Sequence, residues 1–354
     1  MKVINHQNQF DKIRMLAALG VIISHHFSLT GTQGPFWLEN RWLNWAFMGG
    51  VSVMAFLCIS GYLVTQSWCR EPRFFPYLWK RFVRIWPGML GSVSICVFVF
   101  GLIFTALPTG EFLQSPQTRR FFLSNLTLVI DYNALPGVFL DQPVPLVMNG
   151  VYWTIPMEFM CYLVLGALGV LGVLRIPLLV NALALAYIAG FLVFANYDFT
   201  GQIRHWIEYP AFFIAGSWLA LHNDWFQRNA RRIMTFAVPL LLIVYFFTPL
   251  TATARFFLLP VLIVHIGNLP ARDSWFTRLG DPSFGIYLYG FPIAQSVIAV
   301  FPHLNFWLSL ALTIALSIAA GYASWMLIES RALRYKRLFA RKQPASRLGQ
   351  PDAR

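Results

Sequence analysis

Two histidines and an arginine stand inside the first apolar stretch of the chain, Phe10 to Gly31. Ionisable side chains in a membrane segment are costly and usually face a cavity or a partner, so each is a candidate functional group. Arg14 and His25 are close to three helical turns apart, which puts both on one face, about 16 Å apart along the axis. His26 is turned away by about 100°. The spacing predicts that His25 does acid–base chemistry above Arg14 and that His26 does not.

A pair of arginines, Arg81 and Arg84, occupies one face of a helical turn just before the third apolar segment. Two guanidinium groups placed in this way can bind phosphates bidentately. The same cluster also suits a stop-transfer signal, which needs only positive charge at the membrane surface. The spacing leaves both interpretations open. Pro87 follows the cluster and is expected in the first turn of the third span, where its missing N–H costs nothing.

A single carboxylate, Glu158, lies in the apolar run that follows Asn149. A carboxylate at that depth is unfavourable unless it is paired or protonated. We favour a functional role over a structural pairing, because nothing else in this segment needs a charge. The stretch from Asp281 to Pro292 combines small residues, aromatics and a helix-bending proline, and it predicts close packing or a cavity wall. No metal-ligand spacing is present, so no metal is expected, and no cysteine has an evident base partner.

The composition places these residues in a membrane. The 354-residue chain is 57% hydrophobic and 12% charged, unlike an ordinary soluble domain. Apolar segments near the ~20 residues that a bilayer needs predict an all-α polytopic membrane protein with about ten transmembrane helices. Phe121 to Ile130 is too short to span and is expected to be re-entrant or interfacial. The ten segments are 13–30, 45–67, 87–107, 151–174, 176–195, 206–222, 231–249, 254–267, 283–301 and 306–328.

The net charge of +13 would suggest nucleic acid in a soluble protein, but its distribution predicts orientation instead. With the N-terminus inside, most Lys and Arg residues flank cytoplasmic ends. The exceptions are Arg41, Arg119, Arg120, Arg204 and Arg255. The positive-inside rule therefore predicts that both termini are cytoplasmic, and nucleic-acid binding becomes unnecessary. We expect one membrane domain over 1–330 and a disordered basic tail over 331–354, attracted to anionic lipid.

The motifs together resemble those of membrane-bound acyltransferase family 3. They are Arg14-x10-His25, Arg81-x-x-Arg84, FLCISGYL at 56–63, NGVYWTIPMEF at 149–159 and SFGIYLYGFP at 283–292, in family order over about residues 10–330. The resemblance implies ten membrane helices, a cytoplasmic acyl-CoA donor and O-acylation of cell-surface glycans. It matches Arg14 and His25 to the first-helix pair, Arg81 and Arg84 to the cytoplasmic arginine pair, and Glu158 to the carboxylate after the tryptophan. Gly290 stands where many members have histidine, so no catalytic role is expected there.

Residues and resemblance together predict an inner-membrane O-acyltransferase that moves an acyl group, with acetyl from acetyl-CoA expected, to a hydroxyl of a cell-surface or lipid-linked saccharide. His25 is expected to be the general base, and Glu158 to orient it or stabilise its charge. Arg14, Arg81 and Arg84 are expected to bind the donor. A covalent acyl-histidine remains open as the rival chemistry. The alternative class is a secondary transporter of a sugar or lipid, against which count the missing internal repeat and the position of the arginines at a mouth.

Overall fold

The computed structural model of the chain describes residues 9–32, 47–195, 202–248, 250–270 and 280–338. Helices make up most of this part, which holds two isolated β-bridges and no strand. The all-α prediction is confirmed. In chain order the helices are α1 (Phe10–Thr30), α2 (Phe47–Arg70), α3 (Phe74–Phe104), α4 (Thr109–Gln114), α5 (Pro116–Leu126), α6 (Thr154–Val170), α7 (Pro177–Ala195), α8 (Gln202–Leu221), α9 (Asn223–Phe247), α10 (Thr251–Gly267), α11 (Ser283–Val300) and α12 (Phe306–Lys336).

Each of the ten predicted segments falls on a helix, but the helices differ in how well they suit a membrane. Helices α1, α2, α3, α9, α11 and α12 are long and apolar enough to cross one. Helices α6, α7 and α10 are shorter apolar helices, and α8 carries Glu208, which forms a buried ion pair with Arg255 of α10 at 2.8 Å. Several spanning helices are therefore supported, whereas ten crossings and the side on which the termini lie stay predictions.

Helix α3 begins at Phe74, well before the predicted start of the third span at 87. Its first turns are amphipathic. Aromatic rings stack along one side, while the basic side chains of the same turns line a cavity on the other. Hydropathy alone misplaces such a start, because cations on one face lower the average while the helix continues. Pro87 consequently lies inside the helix and not in its first turn, which corrects that expectation.

The segment between α3 and α6 is ordered, as its turn-rich composition predicts. Part of the stretch expected to be re-entrant or interfacial belongs to α5, which begins where Ser115 accepts a hydrogen bond from the Gln117 N–H. Two side-chain amides tie this segment to α11. Asn149 donates to the Leu288 carbonyl at 2.8 Å, and Gln295 donates to the Val144 carbonyl at 2.8 Å. These bonds hold the start of α6 against α11.

Helices α2 and α8 pack backbone against backbone. A Cβ atom on Gly61 would lie 2.1 Å from the Phe213 carbonyl oxygen, and one on Gly216 would lie 2.1 Å from that of Cys58. Only glycine permits this approach, so the two glycines determine how closely the helices meet. The contact also fixes the position of Ser60, the residue before Gly61.

The C-terminal end of α12 falls in the region predicted to be a disordered tail. Helical residues continue from Ser330 through Arg337. They pack against α3, where the Trp79 indole N–H donates to the Tyr335 carbonyl at 2.9 Å. The remainder of the predicted tail, 339–354, lies outside the described residues, as does Arg41, one of the exceptions to the predicted charge distribution.

Candidate active site

A cavity of about 420 Å³ lies at the end of the bundle where α1, α3 and α11 begin and α2 and α12 end. Its volume is within the range of small-molecule sites. Four of the five residues proposed from sequence, Arg14, Arg81, Arg84 and Glu158, line it. The charged side chains of the whole lining are Asp11, Arg14, Arg70, Lys80, Arg81, Arg84, Glu158, Asp281 and Lys336. The fold therefore gathers groups that are widely separated in sequence around one space.

Asp281, just before α11, joins two of the predicted arginines. Its Oδ2 atom lies 2.6 Å from Arg84 Nη2 and 3.5 Å from Arg14 Nη1, and Oδ1 accepts hydrogen bonds from the N–H and hydroxyl of Ser283. Burial raises the pKa of the Asp281 carboxyl, but the charges of Arg84 and Arg14 outweigh burial and hold that pKa below its ordinary value. An ionised Asp281 thus connects the starts of α1, α3 and α11.

The two arginines of the Arg81-x-x-Arg84 motif have different surroundings. Arg84 is held by Asp281 and lies 3.6 Å from Glu329, a carboxylate of α12 that is 1% exposed. Its guanidinium also lies 5.9 Å from the ring centroids of Phe284 and Trp325. Arg81 forms no ion pair within the described part of the chain, and its buried Nε–H has no hydrogen-bond acceptor there.

Glu158 sits in the cavity wall on α6. Its Oε1 atom accepts hydrogen bonds of 2.5 Å from the Ser60 hydroxyl and from the Tyr162 hydroxyl. Tyr162 is itself fixed, because the Tyr77 hydroxyl donates to its carbonyl at 3.0 Å. Across the described residues Glu158 makes no hydrogen bond to His25. The carboxylate is held by α2 and by its own helix. The role expected for Glu158 towards His25, orientation or charge stabilisation, stays a prediction.

His25 and His26 occupy different environments in α1. The His25 ring is half-buried and meets Phe291 of α11 edge to face, with ring centroids 5.1 Å apart. His26 is completely buried against Phe306, and neither of its ring nitrogens has a hydrogen-bond partner in the described structure. His25 does not line the cavity. His25 lies beyond the deep end of the cavity, which is the end away from the helix termini. Its neighbour Phe291 is one helical turn further along α11 than Tyr287, and Tyr287 lines the cavity.

The sequence interpretation did not single out several residues that complete this site. Ser60 lies within the FLCISGYL motif and Asp281 begins the stretch from Asp281 to Pro292, but neither residue was assigned a role of its own. Glu329 is a lone carboxylate at the end of an apolar segment, so the reasoning applied to Glu158 would have found it. Tyr162 follows Glu158 by four residues, a spacing that brings side chains together on a helix. Lys336 carried no signal, because it belonged to the region expected to be disordered.

The arrangement suits a long ligand that is anionic at one end. Cations and the hydroxyl-bound carboxylate of Glu158 line the same cavity, and His25 lies beyond its deep end. Charge-assisted contacts from arginine and lysine are strong phosphate ligands. A neutral chain could then extend between the helices towards the imidazole.

Comparison with known proteins identifies relatives along almost the whole chain. A family model described as an acyltransferase domain, Acyl_transf_3, matches residues 7–328. An O-acetyl transferase of Shigella phage Sf6 is 28% identical over 341 residues, covering 92% of this chain and 96% of the phage protein. Nodulation protein 10 of Rhizobium leguminosarum bv. viciae is 25% identical over 358 residues, covering 94% of each chain. No solved structure matches.

Proposed function

Because this chain belongs to acyltransferase family 3 and is an acyltransferase, we propose that it moves an acetyl group from acetyl-CoA to a saccharide hydroxyl. The acceptor is a cell-surface or lipid-linked glycan, and the enzyme resides in the cell inner membrane. Family membership favours this function over that of a secondary transporter. Intramembrane histidine, glutamate and arginine would suit a transporter too, but neither reported relative is named as one.

The observation that carries the proposal is that Arg14, Arg81, Arg84 and Glu158 line one cavity, at the end of the bundle where five helix termini meet. Acetyl-CoA suits this lining, since its phosphates at one end match the cations and its thioester lies at the other end. Phosphates bound by Arg81, with Arg14 and Arg84 nearby, would direct the pantetheine arm towards Glu158 and His25. The positive-inside rule assigns the cationic end to the cytoplasm, where acetyl-CoA is made.

In the proposed reaction, neutral His25 takes the proton from the acceptor hydroxyl. The hydroxyl oxygen then attacks the thioester carbonyl carbon, the carbon–sulfur bond breaks, and the CoA thiolate leaves and recovers the proton from the imidazolium. The edge-to-face contact with the Phe291 ring restricts how the imidazole turns. Glu158 acts on the developing imidazolium through its negative charge and not through a hydrogen bond. The rival route, attack by His25 itself to form an acyl-histidine, uses the same residues.

The acceptor is inferred from kinship and topology. The phage relative is named an O-acetyl transferase, which supports an oxygen acceptor. His25 lies beyond the deep end of the cavity, whereas the cationic cluster lies near the helix termini. A saccharide could therefore approach His25 from the opposite face of the membrane. The acetyl group would then move between two bound substrates, and no free acetate would cross the bilayer.

The test uses purified protein in lipid nanodiscs with acetyl-CoA and a lipid extract that contains envelope glycans. We expect release of the CoA thiol that depends on the extract, together with a glycan that gains an acetyl mass. The matched control is His25→Ala, checked for equal membrane expression. An acetylated enzyme trapped without acceptor would support the acyl-histidine route. No thiol release, with glycan masses unchanged in a deletion strain, would overturn the proposed function.

A further inference from the structure

Lys336 belongs to the cavity although it lies beyond residues 7–328, which the family model matches. The final turns of α12 carry it there. They are anchored by the hydrogen bond from the Trp79 indole to the Tyr335 carbonyl, 2.9 Å long, directly beside Lys336. Lys336 is half-buried, and Leu333 from the preceding turn also lines the cavity. The end of the chain's last described helix therefore forms part of the site wall.

The positive charges around the cavity are only partly balanced by carboxylates. Arg14 and Arg84 share Asp281, and Lys80 pairs with Glu71 at 2.5 Å. Within the described ranges, Arg81, Arg70 and Lys336 form no ion pair. A basic cluster with unpaired members in a partly enclosed cavity attracts anions strongly, because the surrounding protein screens charge less than water does.

Arg81 and Lys336 both line the cavity. The charge of Lys336 interacts unfavourably with those of Arg84, Arg81 and Arg14, and favourably with that of Asp281, which Arg14 and Arg84 already share. Arg81 in addition keeps a buried Nε–H that finds no acceptor among the described residues. A bound phosphate would accept from the guanidinium, relieve the repulsion between the cations and contact the lysine as a point charge.

We propose that Lys336, together with Arg81, binds a phosphate group of the acyl-CoA donor. The inference rests on the proposed function and adds to it a donor-binding residue that lies outside the matched family domain. A lipid headgroup would offer the same phosphate chemistry, so the experiment separates the two sources.

The binding test compares Lys336→Gln with Arg334→Gln. Both remove one positive charge from the same short segment, but Arg334 is exposed and lies outside the cavity lining. CoA is titrated calorimetrically into each protein in zwitterionic phosphatidylcholine nanodiscs. We expect affinity for CoA to fall about tenfold in Lys336→Gln, to remain near the wild-type value in Arg334→Gln, and to be mostly restored by Lys336→Arg.

The kinetic test uses two donors, acetyl-CoA and S-acetyl-pantetheine, which lacks the phosphates. In Lys336→Gln the KM for acetyl-CoA should rise about tenfold with kcat unchanged, while the KM for S-acetyl-pantetheine should match that of the wild type. A residue that only supports the fold would raise both KM values.

Three results would overturn the inference. One is equal CoA affinity in wild type and Lys336→Gln. The second is an effect of the substitution confined to nanodiscs that contain phosphatidylglycerol, which would identify the ligand as a lipid phosphate. The third is a wild-type protein that binds no CoA. This result would also contradict the proposal that acyl-CoA is the donor, whereas the first two results would not.

Discussion

His25 and His26 are adjacent in sequence and opposite in environment. His25 keeps a half-exposed ring against Phe291, on the side of α1 that faces α11. Arg14 reaches Asp281 at the start of the same neighbour. Arg14 and His25, three turns apart on α1, thus face α11 and the residue Asp281 just before it, as their spacing predicts. His26 is enclosed by apolar rings with its nitrogens unpaired in the described structure.

The first prediction follows from this contrast. His25→Ala should lower acetyl transfer by about 10²–10⁴-fold, because a positioned general base contributes that much. His26→Ala should leave transfer within a few-fold of the wild type, because neither ring nitrogen has a hydrogen-bond partner among the described residues. Thiol release per unit of membrane-inserted protein is the measurement. Equal losses of activity in the two variants would contradict the prediction that His25, and not His26, is the catalytic histidine.

The two arginines of the motif should respond differently to substitution. Among the described residues, Arg84→Gln leaves Glu329 without its cation and Asp281 with Arg14 alone. Removing one partner of such a buried ion pair costs about 3–5 kcal/mol. Its main effect should be a lower melting temperature. Arg81→Gln should leave the melting temperature nearly unchanged and raise the KM for acetyl-CoA. Thermal unfolding and donor kinetics of both variants provide the comparison.

A compensating substitution tests the origin of the Arg84 effect. The variant that combines Arg84→Gln with Asp281→Asn removes the carboxylate that has lost its nearer cation, so part of the lost stability should return. A double variant that is no more stable than Arg84→Gln alone would show that the ion pair is not what holds α3 and α11 together.

At the scale of elements, α2 links the packing of the bundle to the site. Gly61 allows the close approach of α8, while the neighbouring Ser60 donates its hydrogen bond to Glu158 of α6. Successive residues on a helix point in different directions, so one short motif can serve two interfaces. The position of the Glu158 carboxylate consequently depends on the contact between Gly61 and α8, although Gly61 itself makes no hydrogen bond to Glu158.

We predict that Gly61→Ala destabilises the protein by about 1–3 kcal/mol, the usual range for overpacking. The added methyl would meet the Phe213 carbonyl oxygen. Gly190→Ala in α7 is the matched control, because a Cβ atom there has no neighbour within 4 Å. It should be neutral or stabilising by about 0.5–1 kcal/mol, since alanine favours a helix. Melting temperatures in one detergent would decide, and similar values for the two variants would contradict the role of Gly61.

For the whole molecule, the arrangement of helix termini predicts where a donor enters. Helices α1, α3 and α11 begin, and α2 and α12 end, at the cationic end of the bundle. The excess of Lys and Arg at this end predicts that it faces the cytoplasm. Because Glu158 lines the same cavity, a reagent small enough to enter should reach position 158 from that side.

The corresponding experiment introduces Glu158→Cys into a variant from which the four native cysteines have been removed. A small membrane-impermeant thiol reagent should modify position 158 from the cytoplasmic face, and added CoA should slow the reaction. Inverted and right-side-out vesicles provide the two faces. Modification only from the outer face, with the topology confirmed separately, would reverse the proposed direction of donor entry.

Local information in the sequence determined the helices and the candidate groups. Apolar runs of sufficient length predict helices in a bilayer wherever they fold, so every predicted segment falls on one. The spacing of Arg14 and His25, and of Arg81 and Arg84, is a property of a single helix and needs no neighbour. The start of α3 escaped prediction because its cations and aromatics occupy opposite faces, which a hydropathy average cannot distinguish.

Only the tertiary structure decided which partners these groups meet. Arg84 and Asp281 are 197 residues apart and Ser60 and Glu158 are 98 apart, so their pairing depends on how the helices are ordered in the bundle. That order follows from contacts such as those of Gly61 with Phe213, which no local pattern encodes. For the same reason Glu158 binds Ser60 and Tyr162 instead of His25. Lys336 reaches the cavity because the last turns of α12 find a binding surface on α3.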